Sequence, residues 1–379
     1  MTLSSTTETV TSRPTVREML GLWLPLAASL VMMVLEPSII NIGLSRTTEP
    51  ELALAAYGVA FSLALLTEAP ILMLLDASVA RSTTVQAFLV VRRFTLILGF
   101  AVTGIGMAIS LTPLYGLIVP GLMNIPDDVA AMARPSLQIL SLWSLPIAWR
   151  RAHQGLLIRG GRTAVITGAT AVRLCTLAGS LYLGLLLLPD KGAIIAGLAM
   201  VASVTVEAAL VTRVTYRMLG EDHFDKSGEE KASPLGLEGL WRFYQPLMAT
   251  SLLRQAIRPV LNASIAAAAL PRASLAAWPV AWGLAILISG PAWSLQQLTT
   301  ALASDEYAYR RVRSFALTLS ALLSLCLAFV AFTPAYGIVM GGVYNLSEEL
   351  QRVAQPAVQV MVVLPLLMGI QGLLRGVLI

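Results

Sequence analysis

Long apolar runs, separated by short polar connectors, recur along the whole chain. A helix needs about 18 apolar residues to cross a hydrocarbon core roughly 30 Å thick, and the runs reach this length. The pattern predicts ten helical spans: Met19–Leu44, Leu52–Val79, Thr95–Val119, Met132–Leu157, Ala164–Leu188, Ala193–Val211, Leu240–Ala263, Leu275–Leu298, Phe315–Met340 and Val353–Leu374. We therefore expect an all-α, polytopic membrane protein.

The composition agrees with this interpretation. Of the 379 residues, 56% are hydrophobic and only 12% are charged, whereas average soluble domains carry about 25% charged residues. So little charge cannot cover a globule in water. The net charge of +5 does not indicate nucleic acid as a partner, because the Arg residues cluster in alternate short connectors between apolar runs. Membrane lipid is the expected surrounding.

The distribution of Lys and Arg among the connectors predicts the orientation in the membrane. Short cytoplasmic loops carry an excess of these residues. With the N-terminus inside, fourteen of them fall in inside connectors and only four or five in outside connectors. We therefore expect a cytoplasmic N-terminus, in a bacterial inner or plasma membrane.

The chain repeats itself at a constant offset in sequence, equal to the distance from Glu51 to Arg272. We call this distance the repeat offset. It matches the segment ELALAAYGVAFSLALLTEAP (Glu51–Pro70) with RASLAAWPVAWGLAILISGP (Arg272–Pro291). With a small deletion, QGLLIRG (Gln154–Gly160) matches QGLLRG (Gln371–Gly376). The repeat offset also pairs prolines and polar residues, which chance matches in apolar sequence seldom do: Pro25 with Pro246, Asn41 with Asn262, Pro50 with Pro271, Pro135 with Pro356 and Gln138 with Gln359.

This repeat predicts the domain organisation. Six spans separate equivalent points, so both halves enter the membrane in the same direction. We expect two parallel-repeat lobes, residues 1–220 and 237–379, joined by a cytoplasmic linker at 221–236. The second lobe lacks counterparts of the last two helices of the first, so ten spans are present of an expected twelve. Transporters use such repeats to rock two lobes around a central site, although duplicated bundles also serve as scaffolds.

Polar residues in the first span are candidates for ion coupling. A charge inside a span is costly and usually faces the bundle interior or a water-filled cavity. Pro37 disfavours helical geometry at Glu36, and a bend there would free a backbone carbonyl to help hold a cation or proton. We predict Glu36 and Asn41 as ion-coupling residues. The alternative is that Glu36 only pairs with an Arg of another helix.

Deep basic residues indicate an anionic substrate. In the seventh span Arg254, Arg258 and Asn262 follow one another at intervals of four residues and form a stripe on one helix face. Guanidinium groups suit carboxylates and phosphates. The predicted substrate-binding residues are Arg254, Arg258, Asn262, Gln255, Arg150, His153 and Glu68. The alternative is internal salt bridging, in which Glu36, Glu68 and Glu207 neutralise the arginines.

Other residues indicate neither catalysis nor a cofactor. The sequence has no HExxH, GxSxG, GxxxxGK[ST] or CxxC motif, so we expect no enzyme activity, no catalytic residue, no metal site and no cofactor. Cys175 and Cys326 lie in apolar runs and are expected to be buried thiols without a role. Glu207 and Arg173, each within a span, are assigned no role beyond pairing or adding positive charge.

Four segments resemble a known family: EPSIINIGL, LALAAYGVAFSL, FYQPLMATSLLRQAIRPVLNASIAA and AWRRAHQGLLIRG. They are similar to the progressive ankylosis protein family, within the MATE-like superfamily of multidrug, oligosaccharidyl-lipid and polysaccharide transporters. The resemblance implies twelve helices in two six-helix lobes, with alternating access to a central cavity. It also implies that Glu36 occupies the position of the acidic residue that couples export to H⁺ or Na⁺ entry. Ankylosis-type relatives are linked to export of anions such as pyrophosphate, ATP and citrate.

The residues and the resemblance together predict a secondary active exporter of a small organic or phosphate-bearing anion, coupled to H⁺ or Na⁺. Its expected partners are the small-molecule substrate, the coupling cation and membrane lipid. Three alternatives stay open: a MATE-type multidrug cation antiporter, a flippase for a phospholipid-linked substrate, and a truncated membrane protein that transports nothing.

Overall fold

A computed structural model describes residues 15–160, 162–220, 236–303 and 305–378. These residues form α-helices, short 3-10 segments and two π-helical segments, and contain no β-strand. The α-helices are α1 (Val16–Leu44), α2 (Pro50–Glu68), α3 (Leu74–Arg81), α4 (Val85–Leu111), α5 (Leu114–Gly116), α6 (Asp127–Ser141), α7 (Ser144–Arg159), α8 (Thr163–Leu187), α9 (Gly192–Gly220), α10 (Leu237–Ala266), α11 (Pro271–Ser289), α12 (Leu295–Leu302), α13 (Glu306–Phe332), α14 (Ala335–Gly337), α15 (Glu348–Val360) and α16 (Leu364–Leu378). The predicted all-α class is confirmed.

The number of membrane spans needs correction. Among the described residues, eight stretches are long and apolar enough to cross a membrane, not ten. The predicted span Met132–Leu157 is divided between α6, with 15 residues, and α7, with 16 residues. Pro146 lies in the first turn of α7, and its ring disfavours a helix continuous with α6. The predicted span Leu240–Ala263 lies in α10, which is not one of these eight stretches. The charged side chains of Arg254 and Arg258 make this helix more polar than they are.

The chain divides into two compact units, each built from separate stretches. The smaller unit contains α12, α13 and α16, and comprises Met1–Val34, Leu284–Ala335 and Val358–Ile379. The larger unit contains α2 to α10, and comprises Leu35–Gly283 and Tyr336–Ala357. The predicted division into two sequential lobes does not coincide with this division into compact units, and it stays a prediction. Of the predicted linker, residues 221–235 lie outside the described part of the chain.

The repeat is present in the helices themselves. The repeat offset carries both ends of α2 onto those of α11, of α3 onto those of α12 and of α4 onto those of α13. The π-helical segments Leu117–Leu122 and Ile338–Val343 are related in the same way. Asn124 and Asn345 follow them with positive φ angles of 52° and 53°. The two halves therefore share even their irregular backbone features.

Side-chain contacts repeat as well. The Tyr115 hydroxyl donates to the Ala130 carbonyl at 2.6 Å, and the Tyr336 hydroxyl donates to the Gln351 carbonyl at 2.7 Å. The repeat offset relates the two donors to each other, and also the two acceptors. Each bond ties the turn after a long helix to the helix that follows it.

The constant offset continues into the last helix. A Cβ atom added at Gly155 would lie 2.5 Å from the Cβ of Ser78, and one added at Gly376 would lie 2.5 Å from the Cβ of Thr299. The repeat offset relates both the glycines and the hydroxyl residues. Gly155 and Gly376 therefore occupy equivalent packing positions at the unchanged repeat offset. The small deletion inferred from QGLLIRG and QGLLRG is not required to align them.

A buried apolar cluster joins α4, α7, α8 and α9 in the larger unit. Inside a bilayer, van der Waals packing rather than the hydrophobic effect associates helices. The cluster fixes three helices, α7 to α9, whose polar residues face one another farther along. Its members are Phe88, Leu156, Leu157, Ala169, Val211 and Met218.

Candidate functional site

The carboxylate of Glu207, on α9, is the centre of a polar network in the larger unit. One oxygen forms a salt bridge with Arg150 of α7 and lies 3.2 Å from Nε of Arg173 on α8. The other oxygen accepts from Gln154 at 3.1 Å and from Thr170 at 3.3 Å. The Glu207 side chain is only 1% exposed. Two helices, α7 and α8, thus place four polar partners around one buried acid of a third helix.

Glu36 joins this network through Arg173. Its carboxylate lies 2.6 Å from a terminal nitrogen of Arg173, and α1 continues as a helix through Pro37. The side chains of Glu36 and Arg173 are 12% and 11% exposed. Two carboxylates therefore balance two guanidinium groups, with Arg173 shared between both acids. This arrangement matches the alternative stated for the sequence, in which Glu36 pairs with an Arg of another helix.

Glu68, at the end of α2, is buried without an ion pair. It is 2% exposed, and its Oε2 atom has no hydrogen-bond partner among the described residues. Arg151 lies within electrostatic range of this carboxyl, but no salt bridge joins them. Buried polar atoms are nearly always paired in native proteins, so an unpaired carboxyl oxygen is a place where a cation or proton would be stabilised.

Asn41 and Asn262 both hold helix crossings within the larger unit. Asn41, on α1, donates to the carbonyl of Pro279 on α11 at 2.8 Å. Asn262, on α10, donates to the Ser62 hydroxyl at 2.8 Å and to the carbonyl of Gly58 on α2 at 3.4 Å. The repeat offset relates the two donors, and it also relates Gly58 to Pro279. These are matching bonds in the two repeats, and neither Asn forms a hydrogen bond with a residue of the network around Glu207.

The crossing brings equivalent positions of the two repeats into contact. A Cβ atom added at Gly58 would lie 2.8 Å from Cγ of Pro279. Two equivalent residues that touch each other lie next to the axis that relates the repeats. Glycine is needed at position 58 because the proline ring takes the space of a side chain.

Arg254, Gln255 and Arg258 form a separate group on α10. Arg254 is exposed, whereas Gln255 and Arg258 are partly buried. No salt bridge reaches either arginine from the described residues. The structure therefore brings Glu36 and Arg150 together, and it does not bring this second group to them.

His153 lies beside the network without joining it. Its ring is fully buried, Nδ1 lies 2.8 Å from the Trp149 carbonyl, and Nε2 has no partner among the described residues. The rings of Phe88 and Tyr216 lie 5.4 and 5.9 Å away. Aromatic side chains enclose this histidine, and neither ring nitrogen forms a hydrogen bond with the network acids.

The sequence contained a signal for the two charged network residues that were not assigned to the site. Arg173 is the only charged residue in the predicted span Ala164–Leu188, and Glu207 is the only one in Ala193–Val211. Single opposite charges in consecutive apolar helices favour pairing, because an unpaired charge in hydrocarbon is costly.

Cysteines and metal ligands give no second site. Cys175 and Cys326 are both free and exposed, which corrects the expectation that they are buried. They lie in apolar helices whose outer faces are themselves exposed. Across the described ranges, no three His, Cys, Asp or Glu side chains come together as a metal site would require.

Comparisons with known proteins concern the fold. No protein-family profile matches the chain, and no curated protein matches it in sequence. A multidrug resistance MATE family transporter of the MOP superfamily, in an inward-facing conformation, has a TM-score of 0.72 at 17% identity, covering 93% of this chain and 84% of that one. The MATE multidrug transporter DinF-BH has a TM-score of 0.61 at 15% identity, covering 98% and 84%.

A further similar structure is a MOP superfamily transporter from Pyrococcus furiosus, described as having a binding pocket of reverse polarity. Its TM-score is 0.59 at 17% identity, covering 95% of this chain and 82% of that one. The resemblance to the progressive ankylosis family stays a prediction. The chain folds as MATE transporters of the MOP superfamily do, and it is an integral membrane protein with several spans.

Proposed function

We propose that the chain is a secondary active transporter that exports a small organic or phosphate-bearing anion by alternating access, coupled to H⁺ or Na⁺. Two sequential lobes, residues 1–220 and 237–379, would rock about the crossing where Gly58 meets Pro279. The cytoplasmic N-terminus and a bacterial inner or plasma membrane belong to the same proposal. The fold shared with MATE transporters supports it.

One observation carries the choice of an anion. Two groups of deep arginines differ in their partners: Arg150 and Arg173 are neutralised by Glu207 and Glu36, whereas Arg254 and Arg258 meet no acid among the described residues. A neutral network has no charge left to attract a substrate. The second group has two guanidinium groups available for carboxylate or phosphate oxygens.

The depth of these arginines supports a water-facing position. Arg254 and Arg258 precede the last residue of α10, Ala266, by twelve and eight residues, or about 18 and 12 Å of helix. Arginine facing hydrocarbon at such depth would cost roughly 2.5–3.5 kcal/mol on insertion scales. Water and an anion remove this cost, and so the exposed Arg254 is best explained by an aqueous cavity.

Glu36 is the acid best suited to exchange a cation with water. Its side chain is 12% exposed, whereas that of Glu207 is 1% exposed. When Glu36 is neutralised by H⁺ or paired with Na⁺, Arg173 still has Glu207 as a partner. The shared arginine thus lets the charge on Glu36 change without leaving a guanidinium group unpaired. This is the physical basis of the proposed coupling.

Glu68 favours a second candidate, a multidrug cation antiporter. A buried carboxyl without an ion pair attracts a cation, and Glu36 is the other acid with some access to water. In this alternative both acids would bind the drug or its exchanging proton. The number of unpaired arginines on α10 weighs against it, since they would repel a cation.

A flux screen in proteoliposomes separates these candidates. Anions such as pyrophosphate and citrate and a cationic dye would be tested under imposed H⁺ and Na⁺ gradients. We expect gradient-driven anion movement, which Glu36→Gln abolishes and Glu238→Gln preserves, because Glu238 is an exposed acid paired with Arg242 on the surface of α10. Driven movement of the dye alone would favour the antiporter.

The arginine group has its own matched control. Arg254→Gln and Arg258→Gln should each lower anion flux at least tenfold, while Arg242→Gln on the same helix leaves it unchanged. Arg242 is 76% exposed and already bonded to Glu238 at 2.6 Å. Undiminished anion flux in both deep variants would refute their role, and normal driven flux in Glu36→Gln would refute the coupling role.

A further inference from the structure

The smaller unit contains an apolar groove of about 370 Å³ between the start of α1 and the first half of α13. We call it the α1–α13 groove. Its volume lies in the range of small-molecule sites, roughly 300–1,000 Å³. Met19, Phe315 and Leu319 are among its walls. Leu20 and Leu322, on its rim, are 43% and 57% exposed, so the groove opens to the surroundings.

The corresponding seam in the other repeat is filled. The repeat offset takes Phe315 to Phe94 and Leu20 to Trp241. The Phe94 ring lies 6.2 Å from that of Trp241 and 5.2 Å from that of Tyr244. Aromatic rings close the seam between α4 and α10, whereas Leu20 leaves space between α1 and α13. The groove is thus a difference between two otherwise matching halves.

One end of the groove carries an unused positive charge. Arg311 and Ser314 line it on α13. The neighbouring Arg310 is bonded to Glu306 at 2.6 Å, but no salt bridge joins Arg311 to any acid in the described ranges. An anion with an apolar extension would match both the charge and the wall.

The length of the groove corresponds to one leaflet. Arg311 lies near the start of α13, and Leu322 follows it by eleven residues, or about 16 Å of helix. Half of a hydrocarbon core is roughly 15 Å thick. A phosphate at Arg311 would therefore be at the level of the headgroups, with an acyl chain reaching Leu322.

We propose that the α1–α13 groove binds one anionic phospholipid, with its phosphate on Arg311 and Ser314 and one acyl chain along Phe315 and Leu319. Basic pockets between membrane helices are known to hold anionic headgroups. Inorganic phosphate offers the same charge but has no chain to cover the apolar wall. This site is independent of the transport proposal.

The headgroup contact is tested on the purified full-length chain in detergent by native mass spectrometry. We expect one phosphatidylglycerol to bind at least tenfold more tightly than phosphatidylcholine with the same chains. Arg311→Gln should weaken phosphatidylglycerol binding about fivefold, equivalent to the ~1 kcal/mol of one Arg near a membrane surface. Arg310→Gln, whose arginine already pairs with Glu306, is the matched control and should bind like the parent.

The chain contact is tested by filling the groove as the other repeat does. Leu20→Trp should abolish the tight phosphatidylglycerol site, whereas Leu24→Trp should retain it, because Leu24 is 62% exposed and does not line the groove. If Leu20→Trp does not fold, the comparison of Arg311→Gln with Arg310→Gln tests the proposal on its own.

Three outcomes would overturn the proposal. They are equal binding of both lipids, equal weakening by Arg311→Gln and Arg310→Gln, and phosphatidylglycerol binding that occurs only after residues 1–14 are deleted. The last would assign the groove to the chain's own N-terminal segment.

Discussion

Replacing Glu207 by glutamine tests how the buried network holds α7, α8 and α9 together. The substitution keeps the size of the side chain and removes its charge. Arg150 then loses its only salt-bridge partner among the described residues, whereas Arg173 keeps Glu36 at 2.6 Å. The two acids of the network are therefore expected to differ in their importance for stability.

The structure gives an approximate magnitude. Removing one partner of a buried ion pair costs about 3–5 kcal/mol, since a buried charge is left uncompensated. The Arg150 side chain is 12% exposed, so water relieves part of this cost, and we expect Glu207→Gln to lower the free energy of unfolding by about 3 kcal/mol. Glu36→Gln should cost roughly 1–2 kcal/mol, because Arg173 retains Glu207 and loses only one charged contact.

The assay is a double-mutant cycle on the free energy of unfolding in mixed detergent micelles, followed by circular dichroism. Glu207→Gln, Arg150→Gln and the double variant should show a coupling of about 1–3 kcal/mol, as expected for residues in one network. Glu238→Gln, an exposed acid, should change stability by less than about 0.5 kcal/mol. Additive single effects, or a Glu207→Gln protein as stable as the Glu238→Gln control, would refute the reasoning.

Glycine substitutions test the packing of the two repeats in the same unfolding assay. Gly58→Ala should lower stability by about 1–3 kcal/mol, because its Cβ would lie 2.8 Å from the Pro279 ring. Gly104→Ala, with no atom within 4 Å of the added Cβ, should instead gain about 0.5–1 kcal/mol of helix propensity. Gly155→Ala should also destabilise by about 1–3 kcal/mol, since its Cβ would meet Ser78 at 2.5 Å. Equal effects of all three substitutions would contradict this packing.

The helical fold and the repeat could be predicted because they depend on local pattern. Apolar runs give helices, and prolines and polar residues paired at one offset give the repeat. The predicted span through Pro146 is interrupted at Leu142 and Trp143, because a proline in the first turn of α7 cannot donate a backbone hydrogen bond to α6. Two helices of 15 and 16 residues replace that span.

The partners within the site could not be predicted in the same way. Sequence spacing shows which residues share a helix face, but it does not show which faces of different helices meet. Glu36 had several arginines as possible partners, and its observed partner Arg173 lies on α8, far along the chain from α1. The roles of Asn41 and Asn262 as helix-crossing donors likewise depend on carbonyl groups that are 238 and 204 residues distant.

The central claim is that the deep arginines of α10 face a water-filled cavity that opens alternately to the two sides of the membrane. Cysteine labelling tests it most directly, with Cys175 and Cys326 replaced by serine. In sealed vesicles, a charged, membrane-impermeant thiol reagent should modify the Arg254→Cys protein from either side, at rates that change with the imposed gradient. The neighbouring Leu253→Cys, at a position 75% exposed on an apolar surface, should react from neither side. Protection of position 254 from both sides, or equal rates at both positions, would contradict the account.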